Sequence, residues 1–270
     1  DGAALEGQPL GARAGVTTII TLLTDYGTAD AYVGEVKGAL LGRAPDATLV
    51  DITHEIPPGD VAAGAYVLAR AAARFPAGTV HLAVVDPGVG TLRRALAAEA
   101  GGHRFVAPDN GLLTWVIAAT DRRVVTLPLP ATAGATFHGR DVFAPAAADL
   151  ARGRALGELG VEISDPVRLP RPRLASAGGD LVGEVVHVDH FGTLVTNLPG
   201  VRIALGATVR VGVYDLVLRS TFGDVRSGDP VAFVGSGGTV EVAVRDGRAD
   251  SVLGIARGAE ARATARASGG

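Results

Sequence analysis

The chain has 270 residues, 47% of them hydrophobic and 20% charged, with a formal net charge of −3. That length can bury a large core in one big domain or two smaller ones, and the near-balanced charge argues against the basic face that a nucleic-acid binder needs. There is no cysteine, which removes disulfides, thiolate nucleophiles and zinc–thiolate sites. No apolar run approaches the roughly 20 residues that span a bilayer, so a soluble protein is expected, and a cytoplasmic location is the expectation taken with it.

Residues 1–15 (DGAALEGQPLGARAG) lack a basic segment and a long apolar segment, and read as a flexible tail rather than a signal peptide. From residue 16 to about 164, short apolar runs alternate with alanine-rich helical stretches. Thr17–Leu23 is continuously apolar and β-branched, as a strand buried on both faces should be. Asp30 is placed to cap a helix reaching about Leu41, with Val33, Val36 and Leu40 on one face. Ala47–Ile52 is the next strand, Asp60 opens a second helix, and Thr79–Val85 is a third strand. This alternation with short connections predicts a mostly parallel sheet flanked by helices. ALAAEAGGHRFVAP then reads as a hairpin turning at Gly101-Gly102, and Asp141–Arg152 as a further helix whose start Pro145 limits.

Residues 165–179 are proline-rich and aperiodic, which predicts a linker. Beyond them, residues 180–270 hold short, closely spaced strands separated by turn signals, with a helix expected only near Ala249–Gly254. They predict a smaller all-β barrel or sandwich domain.

Ligands of open parallel sheets bind where strands end and loops begin. Three such ends carry an aspartate: Asp25, Asp51 and Asp86. A carboxylate there can hold a ribose diol through charge-assisted hydrogen bonds; capping the next helix or turn is the competing reading. The PGVG of residues 87–90 could bring backbone N–H groups close to a ligand, but it lacks the spacing and lysine of a phosphate loop and reads more readily as a tight turn. His138, beside Arg140 and just before a helix, can orient or deprotonate water, or can be a loop histidine with Asp141 as a helix cap. The other histidines show no metal-ligand spacing, so no metal site is expected, and no serine-hydrolase elbow is present. In the barrel region Phe191 and Phe222 can stack on a base or fill the core.

Seven segments, TDYGTADAYVGEVKG, DITHEIPPGD, FPAGTVHLAVVDPGVGTLRR, VAPDNGLLTWV, TFHGRD, VDHFGTLVTN and GSGGTVEVAV, stand in an order and spacing that closely resembles the S-adenosylmethionine hydroxide adenosyltransferases. These S-adenosylmethionine hydrolases are relatives of fluorinating and chlorinating enzymes. The resemblance runs from about Ile19 to Gly258. It implies an α/β domain, a C-terminal β-barrel, and a homotrimer with active sites between subunits. It also implies cleavage of S-adenosylmethionine to adenosine and L-methionine by attack of water on the ribose C5′, without cofactor or metal. A sulfonium is already an activated leaving group, so such an enzyme needs a positioned, desolvated nucleophile rather than a general acid.

The resemblance maps an Asp–Arg–His set onto Asp86, Arg93 and His138, and a ribose ligand onto Asp25. Asp30, Asp189 and Ser236 match positions around the methionine end, and Phe191 and Phe222 match adenine contacts. Thr193 is a further substrate contact, standing where the family commonly has asparagine. Gly237 stands where the halogenating relatives have arginine. Whether Asp86 or His138 takes the water's proton is open at this level. The rival readings are a halide-using synthase of 5′-halogenated adenosine and a non-catalytic adenosine or S-adenosylmethionine binding protein. Against the halide reading, Asp86 replaces a tyrosine of those relatives and would repel an anion, and Gly139 replaces a serine.

Overall fold

A computed structural model describes residues 18–118 and 121–265; the expected tail, residues 1–15, and Thr17 lie outside them. The chain divides into two compact units, Asp1–Arg168 and Leu169–Gly270.

In the first unit the apolar runs become strands of one sheet. In chain order they are β1 (Ile19–Thr24), β2 (Thr48–Thr53), β3 (Val80–Val84), β4 (Ala95–Ala100), β5 (His103–Pro108), β6 (Arg123–Leu127) and β7 (Val161–Glu162). Their order across the sheet is β2-β1-β3-β5-β4-β6-β7. The first four in that order run parallel, and the rest are added antiparallel. Every residue of β3 is buried, and β1 is partly open only at its first residue, as strands covered on both faces require. The antiparallel part starts from the expected hairpin. Gly101 and Gly102 have φ of +56° and +78°, the left-handed pair that matches the twist of a two-residue turn.

Helices α1 (Tyr32–Arg43) and α2 (Val61–Ala72) pack against opposite faces, α1 on the side of Leu22 and α2 on the side of Leu23. α1 buries Val36 and Leu40 in a cluster with Ile20, Leu22 and Leu82, which α3 (Ala144–Ala151) completes with Ala147 and Leu150. α2 packs on the other face, against Leu23, Val85 and Leu112. A Cβ on Gly64 would come within 2.8 Å of Leu112, so the helix approaches as closely as glycine allows. Adjacent residues Leu22 and Leu23 serve the two faces because side chains alternate along a strand.

Asp60 caps α2, its carboxylate accepting the Ala63 N–H at 3.0 Å. Asp60→Ala is therefore expected to cost about 1 kcal/mol of stability, measurable by chemical denaturation. Asp30 does not cap α1: the cap position is Ala31, without a side-chain bond, and Asp30 is exposed one residue earlier. The helix expected from Asp141 instead opens with a π-helical turn, Gly139–Phe143, that runs into α3. Pro145 falls in the first turn of α3, where its missing N–H costs nothing.

Residues 165–179 include Asp165 and Val167, which bond to Arg94 and Asp109 of the first unit, and β8 (Ala175–Ala177) of the second. The remaining strands are β9 (Asp180–Val188), β10 (Leu194–Pro199), β11 (Thr208–Val211), β12 (Tyr214–Arg219), β13 (Pro230–Val234), β14 (Thr239–Val244) and β15 (Glu260–Thr264). They run β10-β14-β13-β12-β11-β15-β9, and β9 pairs back onto β10, which closes a barrel with β8 hung outside it. Leu181, Val185, Leu194, Val209, Leu218 and Val242 fill its interior. The short helix α4 (Ala249–Leu253) ends at left-handed Gly254.

Candidate active site

β1 lies between β2 and β3, and the chain leaves it for β2 over one face and returns to β3 over the other. The carboxyl ends of β1 and β3 therefore flank a switch point, where a parallel sheet opens a crevice. Thr24 pairs with Val84 in this register, so Asp25 and Asp86 emerge side by side. Both line a cavity of about 550 Å³ with Tyr26, Phe137, His138 and Gly139, a volume suited to a small organic ligand. Asp51, the third strand-end aspartate, does not line it. It bonds to Lys37 at 2.6 Å on the outer strand.

The turn after Asp86 is tight. Val89 N–H donates to the Asp86 carbonyl at 3.2 Å, and Thr91 N–H to that of Gly88 at 3.2 Å. Gly90 has φ +77°, and a Cβ there would lie 2.5 Å from the Ala135 carbonyl, so only glycine lets this turn meet the loop before His138. The turn brings Arg93 back beneath Asp86. Arg93 Nε donates to both carboxylate oxygens at 3.0 Å, and its Nη2 to Oδ2 as well. Nη2 also meets His138 Nδ1 at 2.8 Å. The Arg93 and Asp86 side chains are 9% and 6% exposed, so the pair is desolvated, and the guanidinium lies over the Phe143 ring at 5.1 Å. Its buried Nη1 has no acceptor among the described residues.

This geometry decides the proton on His138. A guanidinium only donates, so Nδ1 must accept, and the neutral ring then carries its proton on Nε2. Burial first, and the Arg93 charge second, hold the imidazole pKa below its ordinary 6.5. Below pH 6.5 the unfolded chain binds a proton that the folded ring refuses, so this group's contribution to stability falls as pH falls and is constant above 6.5. If His138 takes part in turnover, the acid limb of kcat/KM, which reports the ligand-free protein, is accordingly expected below pH 6.5; an inflection at or above 6.5 that vanishes in His138→Asn would contradict it.

Asp25 is half-buried and accepts the Gly59 N–H at 2.8 Å through Oδ2, leaving Oδ1 for a guest. Sequence reasoning missed the aromatic wall. Tyr26, Tyr32 and Phe137 meet in pairs with ring centroids 5.4–6.1 Å apart, and Arg140 lies over Phe137 at 5.0 Å while bonding Glu35 and Asp141 at 2.7 Å. The signal that could have found it is scarcity: with 4% aromatics, a tyrosine beside a strand-end aspartate merits a role. Asp141 does not cap a helix but holds Gly134 N–H and Arg140.

The barrel unit has its own cavity, about 820 Å³, lined by Asp189, Phe191, Thr193 and Phe222 along with Glu241, Arg245 and Arg248. Phe191 and Phe222 are 72% and 46% exposed, so neither fills the core. Asp189 Oδ1 accepts the N–H groups of Phe191 at 2.9 Å and Thr193 at 2.8 Å, which shapes the turn that presents them. Asp30 and Ser236 line neither cavity. Among the described residues there is no group of three or more side chains that could hold a metal, and no helix is long and apolar enough to cross a membrane.

Fold and site together define the class: an α/β unit with a desolvated Asp–Arg–His cluster at its switch point, followed in the same chain by a closed barrel with an aromatic-lined cavity. The SAM hydroxide adenosyltransferase N-terminal domain profile matches residues 20–160, and the C-terminal domain profile matches residues 183–262. The chain belongs to this family. It is 46% identical to an (R)-S-adenosyl-L-methionine hydrolase of Salinispora tropica, over 92% of this chain and 98% of that protein. A fluorinase of Actinoplanes sp. is 34% identical over 83% of this chain and 90% of that protein. The crystal structure of an uncharacterized conserved protein from Thermotoga maritima matches with a TM-score of 0.83 at 36% identity, over 90% of this chain and 99% of that one.

Proposed function

We propose that this protein hydrolyses S-adenosyl-L-methionine to adenosine and L-methionine, with Asp86, Arg93 and His138 as its catalytic residues. The observation that carries the reading is the Asp86 carboxylate, buried under Arg93 and open to the cavity beside Asp25. Water attacks C5′ in line with the C5′–S bond, whose electron pair leaves with sulfur as a neutral thioether. The proton passes to Asp86, because His138 Nδ1 is occupied by Arg93 and Nε2 already carries hydrogen. His138 Nε2–H orients the water, and Arg93 stabilises hydroxide character as the attack develops. No cofactor or metal enters this scheme.

Asp25 Oδ1 takes the ribose diol. Phe191 and Phe222 stack on adenine, with Thr193 at its edge, and Asp30, Asp189 and Ser236 serve the methionine end. The exposure of both phenylalanine rings in the barrel cavity supports the stacking role. The working form is a cytoplasmic homotrimer with active sites between subunits, a reading that rests on the family.

The greater identity to the Salinispora hydrolase than to the Actinoplanes fluorinase favours water as the nucleophile, and so does the negative charge of Asp86. Purified protein with S-adenosylmethionine in concentrated chloride or fluoride is expected to yield adenosine alone by liquid chromatography. Appreciable 5′-halogenated adenosine sinks the hydrolytic reading. Stoichiometric binding without methionine release would establish the binding-protein alternative.

A further inference from the structure

We infer that Tyr26 is a specificity-determining residue for the nucleophile: its phenol takes the space that a side chain at position 139 would occupy, and so restricts the room beside His138 in which a nucleophile larger than water could sit. The inference rests on the hydrolytic reading of this cavity. A Cβ built on Gly139 would overlap the Tyr26 hydroxyl oxygen and lie 3.3 Å from both Tyr26 Cζ and Phe137 Cε2. The backbone at 139 is helical, so the glycine answers to this contact rather than to a left-handed turn. Two aromatic neighbours brace the ring: Phe137 meets it edge-on at 5.8 Å, and Tyr32 lies against it at 6.1 Å.

Residue 139 follows His138 directly, and Tyr26, Asp86 and His138 line the same cavity. The phenol therefore lines the same cavity in which the proposed nucleophile meets the carboxylate and the imidazole. Burial, then the Asp25 charge, then the Asp86 charge push its pKa up, so it stays a neutral O–H that offers water a hydrogen bond. A nucleophile with one more carbon must find its volume where the ring stands.

Methanol is such a nucleophile, neutral and therefore not repelled by Asp86. Its oxygen would bond to C5′, the C5′–S pair would leave with methionine, and the methanol proton would pass to Asp86, giving 5′-O-methyladenosine. In water–methanol mixtures the wild type is expected to form adenosine alone. Tyr26→Ala should raise the 5′-O-methyladenosine to adenosine ratio at least about tenfold, the scale on which a pocket discriminates one carbon. Gly139→Ala should abolish hydrolysis, and Tyr26→Phe in the same chain should restore part of it by removing the oxygen that clashes.

A Tyr26→Ala protein that hydrolyses without methyl ether, or a wild type that makes methyl ether freely, overturns the inference. If Tyr26→Ala does not fold, the position-139 pair decides: partial rescue supports the inference, and equal loss in single and double variants overturns it. Failure of the hydrolytic reading is visible separately, as a wild type that releases no adenosine.

Discussion

Asp86→Asn should lower kcat for methionine release about a thousandfold, with a KM for S-adenosylmethionine within a few-fold of wild type. The substitution keeps the shape of the side chain but removes the charge that, in the proposed scheme, accepts the water's proton. Three other groups that could accept a proton line the cavity, and each is already engaged. His138 Nδ1 is held by Arg93 at 2.8 Å, Glu35 is paired with Arg140 at 2.7 Å, and Asp25 accepts from Gly59 and is assigned to the ribose in the proposed scheme. Steady-state assay of both products measures the effect. A kcat within a few-fold of wild type removes Asp86 from the chemistry and returns the proton to His138.

The second large effect is expected in stability as well as rate. Arg93→Met leaves Asp86, whose side chain is only 6% exposed, without its counter-charge, and removes the cation over Phe143. Breaking one side of such a buried pair costs about 3–5 kcal/mol, whereas replacing both sides with neutral groups costs far less. Denaturant unfolding should therefore show a large loss for Arg93→Met that Asp86→Asn in the same chain mostly restores. Hydrolysis should stay lost in the double variant. A single variant as stable as wild type would mean that Asp86 finds another donor or takes up a proton.

Much of this site is legible in the amino-acid sequence, and the reason is local. Asp25 and Asp86 each follow an apolar run that must be a buried strand, and parallel strands joined by short helical crossovers put such ends on one edge. Gly101-Gly102 between alternating segments dictates a hairpin in the same way, and Asp60 before an apolar helix dictates a cap. The family resemblance adds Arg93 and His138, which no periodicity indicates.

Other features escape a sequence reading because they depend on neighbours distant in the chain. Asp30 has the residue type and position of a cap, yet α1 starts one residue later than its carboxylate could serve. Phe191 and Phe222 have the hydrophobicity of core residues, but closure of the barrel leaves them at its surface cavity. The position of the His138 proton is set by an arginine 45 residues earlier in the chain, and the glycine at 139 by a tyrosine on another strand end. Local periodicity and turn chemistry, which act over a few residues, are enough to place the carboxylates on one edge. Hydrogen-bond direction and steric exclusion act across space, so only the tertiary structure could decide which His138 nitrogen carries the proton and which side chain crowds position 139.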